Sequence, residues 1–159
     1  MKKLFEKKNF YILVGFISAF SLISAFYIEH ILNIAPCKLC LYQRIPYFAI
    51  LFLCFIGFLN IKNSLWIYLL SFSFLISSFL AGYHFGIENN IFPEFSGCKT
   101  NNLNIIDKDE LLNLLLENLP NCKNVNYRLF GFSLATLNLF ISSVLFTISL
   151  LIIKNEKNR

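Results

Sequence analysis

Five cysteines carry most of the chemistry open to this chain, and four of them fall into two pairs. Cys37 and Cys40 form a C-x-x-C motif within Pro36-Cys37-Lys38-Leu39-Cys40-Leu41-Tyr42-Gln43-Arg44, and Cys98 and Cys122 are separated by 23 intervening residues. Closing the small C-x-x-C ring removes little chain entropy and therefore adds little stability. Its geometry is tight and easily reduced, which suits a redox relay better than a staple. Inert disulfides are the competing reading, and for Cys98 with Cys122 a sufficient one. A four-cysteine zinc site would usually show a second C-x-x-C, and there is none. Cys54, flanked by Leu53, Phe55 and Ile56, reads as a small buried hydrophobe.

The surroundings of the motif favour an ionised sulfur. Pro36 fixes the chain ahead of Cys37 and disfavours a helical Ala35. A helix beginning near Cys40 places that residue at a helix N-terminus, where free N–H groups and the macrodipole attract an anion. Arg44 then lies one turn further on the same face. Both effects stabilise a thiolate and make Cys40 the expected reactive sulfur. Arg44 has a second reading as an interface anchor with its charge in the headgroups. His84, in Ala81-Gly82-Tyr83-His84-Phe85-Gly86-Ile87-Glu88, is either an intramembrane functional group or an ordinary solvated histidine at an interface. His30 has no context that assigns it a role.

The elements that position these residues are apolar and long. Hydrophobic residues make up 57% of the 159 residues and charged residues 14%, with 19 phenylalanines. A soluble domain of this size exposes too many positions to hide that much apolar surface. Four runs free of Asp, Glu, Lys and Arg reach spanning length, residues 10–28, 45–61, 64–87 and 129–153. The expectation is an all-α membrane protein, a four-transmembrane-helix bundle forming one domain over residues 1–159. The first run is longer than a signal-peptide core and lacks a following small-residue cleavage pattern, so it reads as a retained span.

Lys2, Lys3, Lys7, Lys8, Lys62, Lys154, Lys157 and Arg159 fall on one side of these spans, with only Glu6 and Glu156 as acidic partners. The other side has six basic and seven acidic residues. The asymmetry places both termini in the cytoplasm and the loops 29–44 and 88–128 outside. All four loop cysteines then face an oxidising compartment, which is where paired thiols become disulfides. The basic residues sit at chain ends and between spans, so the net charge of +5 reads as membrane topology and not as a nucleic-acid surface. There is no internal repeat. In the second outer loop, Asp107 as N-cap, Glu110 in capping-box position and Leu111, Leu112, Leu115, Leu116 and Leu119 at helical spacing predict a short amphipathic helix lying on the membrane and ending before Pro120.

Taken together, P-C-x-L-C-x-x-Q-R at the start of span two, A-G-Y-H-F-G-I-E ending span three, Leu129-Phe130-Gly131-Phe132-Ser133-Leu134-Ala135 entering span four and the second cysteine pair resemble the DsbB family. These are disulfide bond formation proteins of the bacterial inner membrane, and the resemblance covers nearly the whole chain. One departure is the absence of the tryptophan common shortly after the last loop cysteine, with Tyr127 nearby. The resemblance implies a thiol:quinone oxidoreductase. A reduced periplasmic DsbA-like thioredoxin-fold partner would attack a Cys98–Cys122 disulfide at Cys98, and Cys122 would then exchange with Cys37. Cys40 would be released facing ubiquinone or menaquinone, with Arg44 stabilising the charge and His84 near the quinone. Two alternatives are kept: a cysteine-based membrane carrier of soft metal ions, and a DsbI-like branch with a dedicated partner.

Overall fold

A computed structural model of the chain describes residues 7–93, 122–123, 128–129 and 131–157. Among these, four helices dominate: α1 (Lys7–His30), α2 (Lys38–Leu59), α3 (Leu65–Glu88) and α4 (Leu134–Lys157). Each is long and apolar enough to cross a membrane. In hydrocarbon a helix is the economical choice, because all of its backbone polar groups are satisfied within the segment. The four-helix membrane fold predicted from the apolar runs is therefore present. Cys98 and the amphipathic helix expected near Asp107 lie outside the described residues.

The helix ends depart from the expected spans in an instructive way. α2 starts at Lys38, seven residues before the charge-free run, so Lys38 and Arg44 both ride on the helix. Charged residues near a helix end reach water or a partner without breaking the helix, so an uncharged run underestimates helix length. Pro46 lies inside α2, where it withholds one hydrogen bond from the first turns. α4 instead starts later than expected, at Leu134. The preceding residues form a minimal antiparallel pair, β1 (Arg128–Leu129) with β2 (Phe132–Ser133), in register Arg128↔Ser133 and Leu129↔Phe132. Gly131 turns this hairpin at φ +86, a left-handed conformation in which a glycine has no Cβ to clash. Ser133 then caps α4, accepting from the Thr136 N–H at 3.1 Å.

The bundle runs up and down. The start of α1 meets the end of α4 through the Lys7–Glu156 ion pair, and Ser64, just before α3, bonds the same Glu156 at 2.6 Å. At the opposite end, Glu29 of α1 pairs with Arg44 of α2. The α3–α4, α1–α2 and α2–α3 faces make the extensive contacts. The core near the Lys7 end is apolar, with Phe10, Val14, Ile50, Ile67, Leu70 and Phe74 fully or almost fully buried. Cys54 belongs to this cluster at 5% exposure, as its apolar neighbours in sequence predict. Small residues let α3 approach α4: Ser77 and Ser142 bond at 3.0 Å, and so do Ser78 and Ser143. The outside is apolar too. Phe16, Phe79 and Phe140 are each at least 70% exposed, a surface suited to lipid and unsuited to water.

Candidate functional site

The site forms at the end of the bundle where α2 begins and α3 finishes. Cys37, Leu39, Ile87 and Cys122 make a second buried cluster there, with Cys40 and Tyr83 packed on it. Cys37 and Cys40 are free thiols and Cys122 is disulfide-bonded. The sulfurs of Cys37 and Cys40 are 2.8 Å apart. Cys37 Sγ, Cys122 Sγ and a ring nitrogen of His84 all lie within 4.8 Å of one another. The structure thus brings together Cys37, Cys40, Cys122 and His84, from three separate parts of the chain. His84 is buried at 4% exposure, so the solvated interfacial reading of this histidine does not hold.

The anion-favouring position belongs to Cys37, which corrects the assignment to Cys40. Because α2 begins at Lys38, Cys37 is the N-cap residue, extended at φ −68 and ψ 164. Its sulfur accepts from the Cys40 backbone N–H at 3.3 Å. Its thiol is lowered from 9.0 to about 5. The chief cause is the Cys40 side chain sharing its hydrogen bond; burial opposes, and His84 and the Cys40 N–H add to the lowering. Sequence placed the helix start a few residues late and so moved the cap to the wrong sulfur.

Arg44 and Cys40 line one cavity of about 300 Å³, together with Gln43, Tyr47 and His84. Phe20, Leu22, Ala25, Ile28, Leu137 and Ile141 supply apolar lining from α1 and α4. Arg44 donates to Glu29 Oε2 at 2.5 Å and stacks its guanidinium 5.1 Å from the Phe26 ring centre. Its charge is therefore anchored to α1 while it faces the cavity.

Several residues of the site escaped the sequence reading. Glu88 sits one turn beyond His84, its carboxylate 3.7 Å from His84 Nε2, and accepts from the Ser133 hydroxyl at 2.5 Å. This bridge ties the end of α3 to the start of α4. Asn138 bonds Gln43 at 2.9 Å and Tyr47 at 2.6 Å. A lone asparagine between Leu137 and Leu139 was the available signal, since an amide within a membrane span needs partners.

With this geometry in view, the comparisons are direct. The chain matches the family model described as "Disulfide bond formation protein DsbB" over residues 7–152. No curated protein matches the chain significantly. The fold and site define a multi-pass membrane thiol oxidoreductase. The chain belongs to the DsbB family, and so to the oxidoreductases of disulfide bond formation.

Proposed function

We propose that this chain is an inner-membrane thiol:quinone oxidoreductase that reoxidises a periplasmic DsbA-like dithiol protein, with both of its own termini in the cytoplasm. The observation that carries the reading is the assembly of Cys37, Cys40, Cys122 and His84 on the rim of an apolar cavity that also holds Arg44. The cavity fits a quinone: its volume of about 300 Å³ reaches the range of small-molecule sites. Its walls are mostly apolar, and among its polar lining residues Arg44 keeps N–H donors beyond the one given to Glu29. A bound quinone would supply the sink for two electrons and two protons.

The chain's own residues perform the sulfur steps. The partner's dithiol reduces a Cys98–Cys122 disulfide and is itself oxidised to a disulfide. The Cys122 thiolate attacks the Cys37 sulfur of an oxidised Cys37–Cys40 pair, forming a Cys122–Cys37 bond and releasing Cys40 as thiolate. The Cys98 thiolate then attacks Cys122, restoring the second-loop disulfide and releasing Cys37. The closeness of the Cys37 and Cys122 sulfurs supports this exchange. With Cys37 and Cys40 free and Cys122 oxidised, the arrangement matches the stage after exchange, when the first pair holds the electrons. The Cys37 cap and the nearby imidazole favour its thiolate as a leaving group. Arg44 holds a positive charge at the cavity beside Cys40.

The test is turnover of purified protein with a quinone and a reduced thioredoxin-fold substrate. Cys40→Ser abolishes it; turnover at the wild-type rate would refute the role given to Cys40. A second reading, a carrier of soft metal ions, draws on the Cys37, His84 and Cys122 donor cluster. It requires Cys122 as a free thiolate. Stoichiometric metal with four free loop thiols after gentle purification would favour the carrier, and two disulfides with bound quinone would exclude it.

A further inference from the structure

A chain of polar side chains leads from the bundle interior to Cys37, and its links constrain one another's direction. The Tyr47 and Ser142 hydroxyls donate to Asn138 Oδ1 at 2.6 and 3.0 Å, and Ser77 donates to Ser142 Oγ at 3.0 Å. With its oxygen so engaged, Asn138 turns its Nδ2 to Gln43 Oε1 at 2.9 Å. Gln43 therefore presents its own amide nitrogen to His84 Nδ1 at 3.0 Å. A second contact checks this orientation: the same Gln43 nitrogen lies 3.5 Å from the Leu80 carbonyl, which can only accept. A flipped Gln43 would set two oxygens against each other there.

An amide N–H aimed at Nδ1 makes that nitrogen an acceptor, so the ring proton must sit on Nε2. Nε2 faces two groups that can accept its proton, Cys37 Sγ and Glu88 Oε1, each 3.7 Å away. We infer that Gln43 and Asn138 are positioning residues that hold His84 as the neutral Nε2–H tautomer, so that its one N–H is aimed at the Cys37 sulfur. In this frame Nδ1 is the acceptor and Nε2 the donor, and the donor supports a Cys37 thiolate. The inference builds on His84 as a member of the redox site, but it concerns the resting protein and stands apart from whether a quinone is the acceptor.

The test is nitrogen NMR of the full-length protein in lipid nanodiscs, labelled at histidine, in a His30→Gln background that leaves His84 as the only histidine. At neutral pH, His84 should show one protonated nitrogen, Nε2, and an unprotonated Nδ1. The nearly isosteric Gln43→Glu replaces the donor by an acceptor and should move the Nδ1 resonance to the protonated position. Asn138→Asp, which cannot donate to Gln43 Oε1, should release the Gln43 amide and move the same resonance in the same direction. A wild-type ring protonated at Nδ1, or a spectrum indifferent to Gln43→Glu, overturns the inference. A response to Gln43→Glu without one to Asn138→Asp removes Asn138 from it. Because the readout is a nitrogen's protonation state and not turnover, failure of the quinone reading leaves it interpretable, and a merely structural role for Gln43 would not move it.

Discussion

At the scale of single residues, the site turns on which of two neighbouring sulfurs carries charge. The C-x-x-C motif was legible at once, but its polarity was not, because the cap depends on whether the helix starts at Lys38 or a few residues later. Cys37 takes the cap, and its thiol falls from 9.0 to about 5. The thiolate absorbance of the reduced protein, taken as wild type minus Cys37→Ser, should therefore titrate well below 9.0; a midpoint at or above 9.0 would contradict the charge assigned to Cys37. The sign for stability follows. A thiol depressed in the folded state binds fewer protons there than when unfolded, so its contribution is complete above about 9.0 and is lost as pH falls toward about 5. Reduced wild type should lose stability relative to Cys37→Ser across that window, as read by denaturant unfolding. Arg44 makes a separate prediction. Its guanidinium faces the cavity while Glu29 holds it, so Arg44→Met should raise the quinone KM by roughly ten- to a hundred-fold, the loss of one charged hydrogen bond of about 1.5–3 kcal/mol. A KM that stays at the wild-type value would return Arg44 to a plain interface anchor.

At the scale of elements, four charge-free runs sufficed to find four helices, because hydrocarbon leaves the backbone no other open form. The ends were less legible. Lys7, Lys38 and Lys157 are all helical, so a run that stops at charge stops too soon, whereas the Gly131 turn makes α4 start late. The end of α3 depends on a close approach. A Cβ on Gly86 would lie 2.2 Å from the Phe92 ring, which folds back over the helix as Ile91 and Phe92 both donate to the Gly86 carbonyl. Gly86→Ala should cost about 1–3 kcal/mol by overpacking, seen as a lower thermal midpoint, and should loosen the turn that carries Glu88. Ser133 joins two functions, capping α4 and bonding Glu88. Ser133→Ala should lose about 1 kcal/mol from the cap alone. A loss of turnover without loss of stability would show that the Glu88 contact matters to His84 more than the cap matters to the fold.

At the scale of the whole molecule, the two ends of the bundle do different work. The Lys7–Ser64–Glu156 end is closed by an ion pair and an apolar core. The other end gathers free thiols, a buried imidazole and a cavity between helices. In the orientation proposed from the positive-inside asymmetry, the end with the thiols is the outer one, where the proposed periplasmic partner would meet it. The sequence could suggest one side for four cysteines but could not bring Cys37, Cys40, Cys122 and His84 together, since distances across the bundle depend on helix packing that no local pattern fixes. The relay requires that Cys122 and Cys37 exchange directly. Mass spectrometry of alkylated, unreduced Cys40→Ser/Cys98→Ser protein after treatment with diamide tests this, because the variant has neither Cys40 to displace Cys122 from Cys37 nor Cys98 to displace Cys37 from Cys122. The account predicts a peptide linking Cys37 to Cys122. Cys37 and Cys122 both recovered alkylated would contradict it.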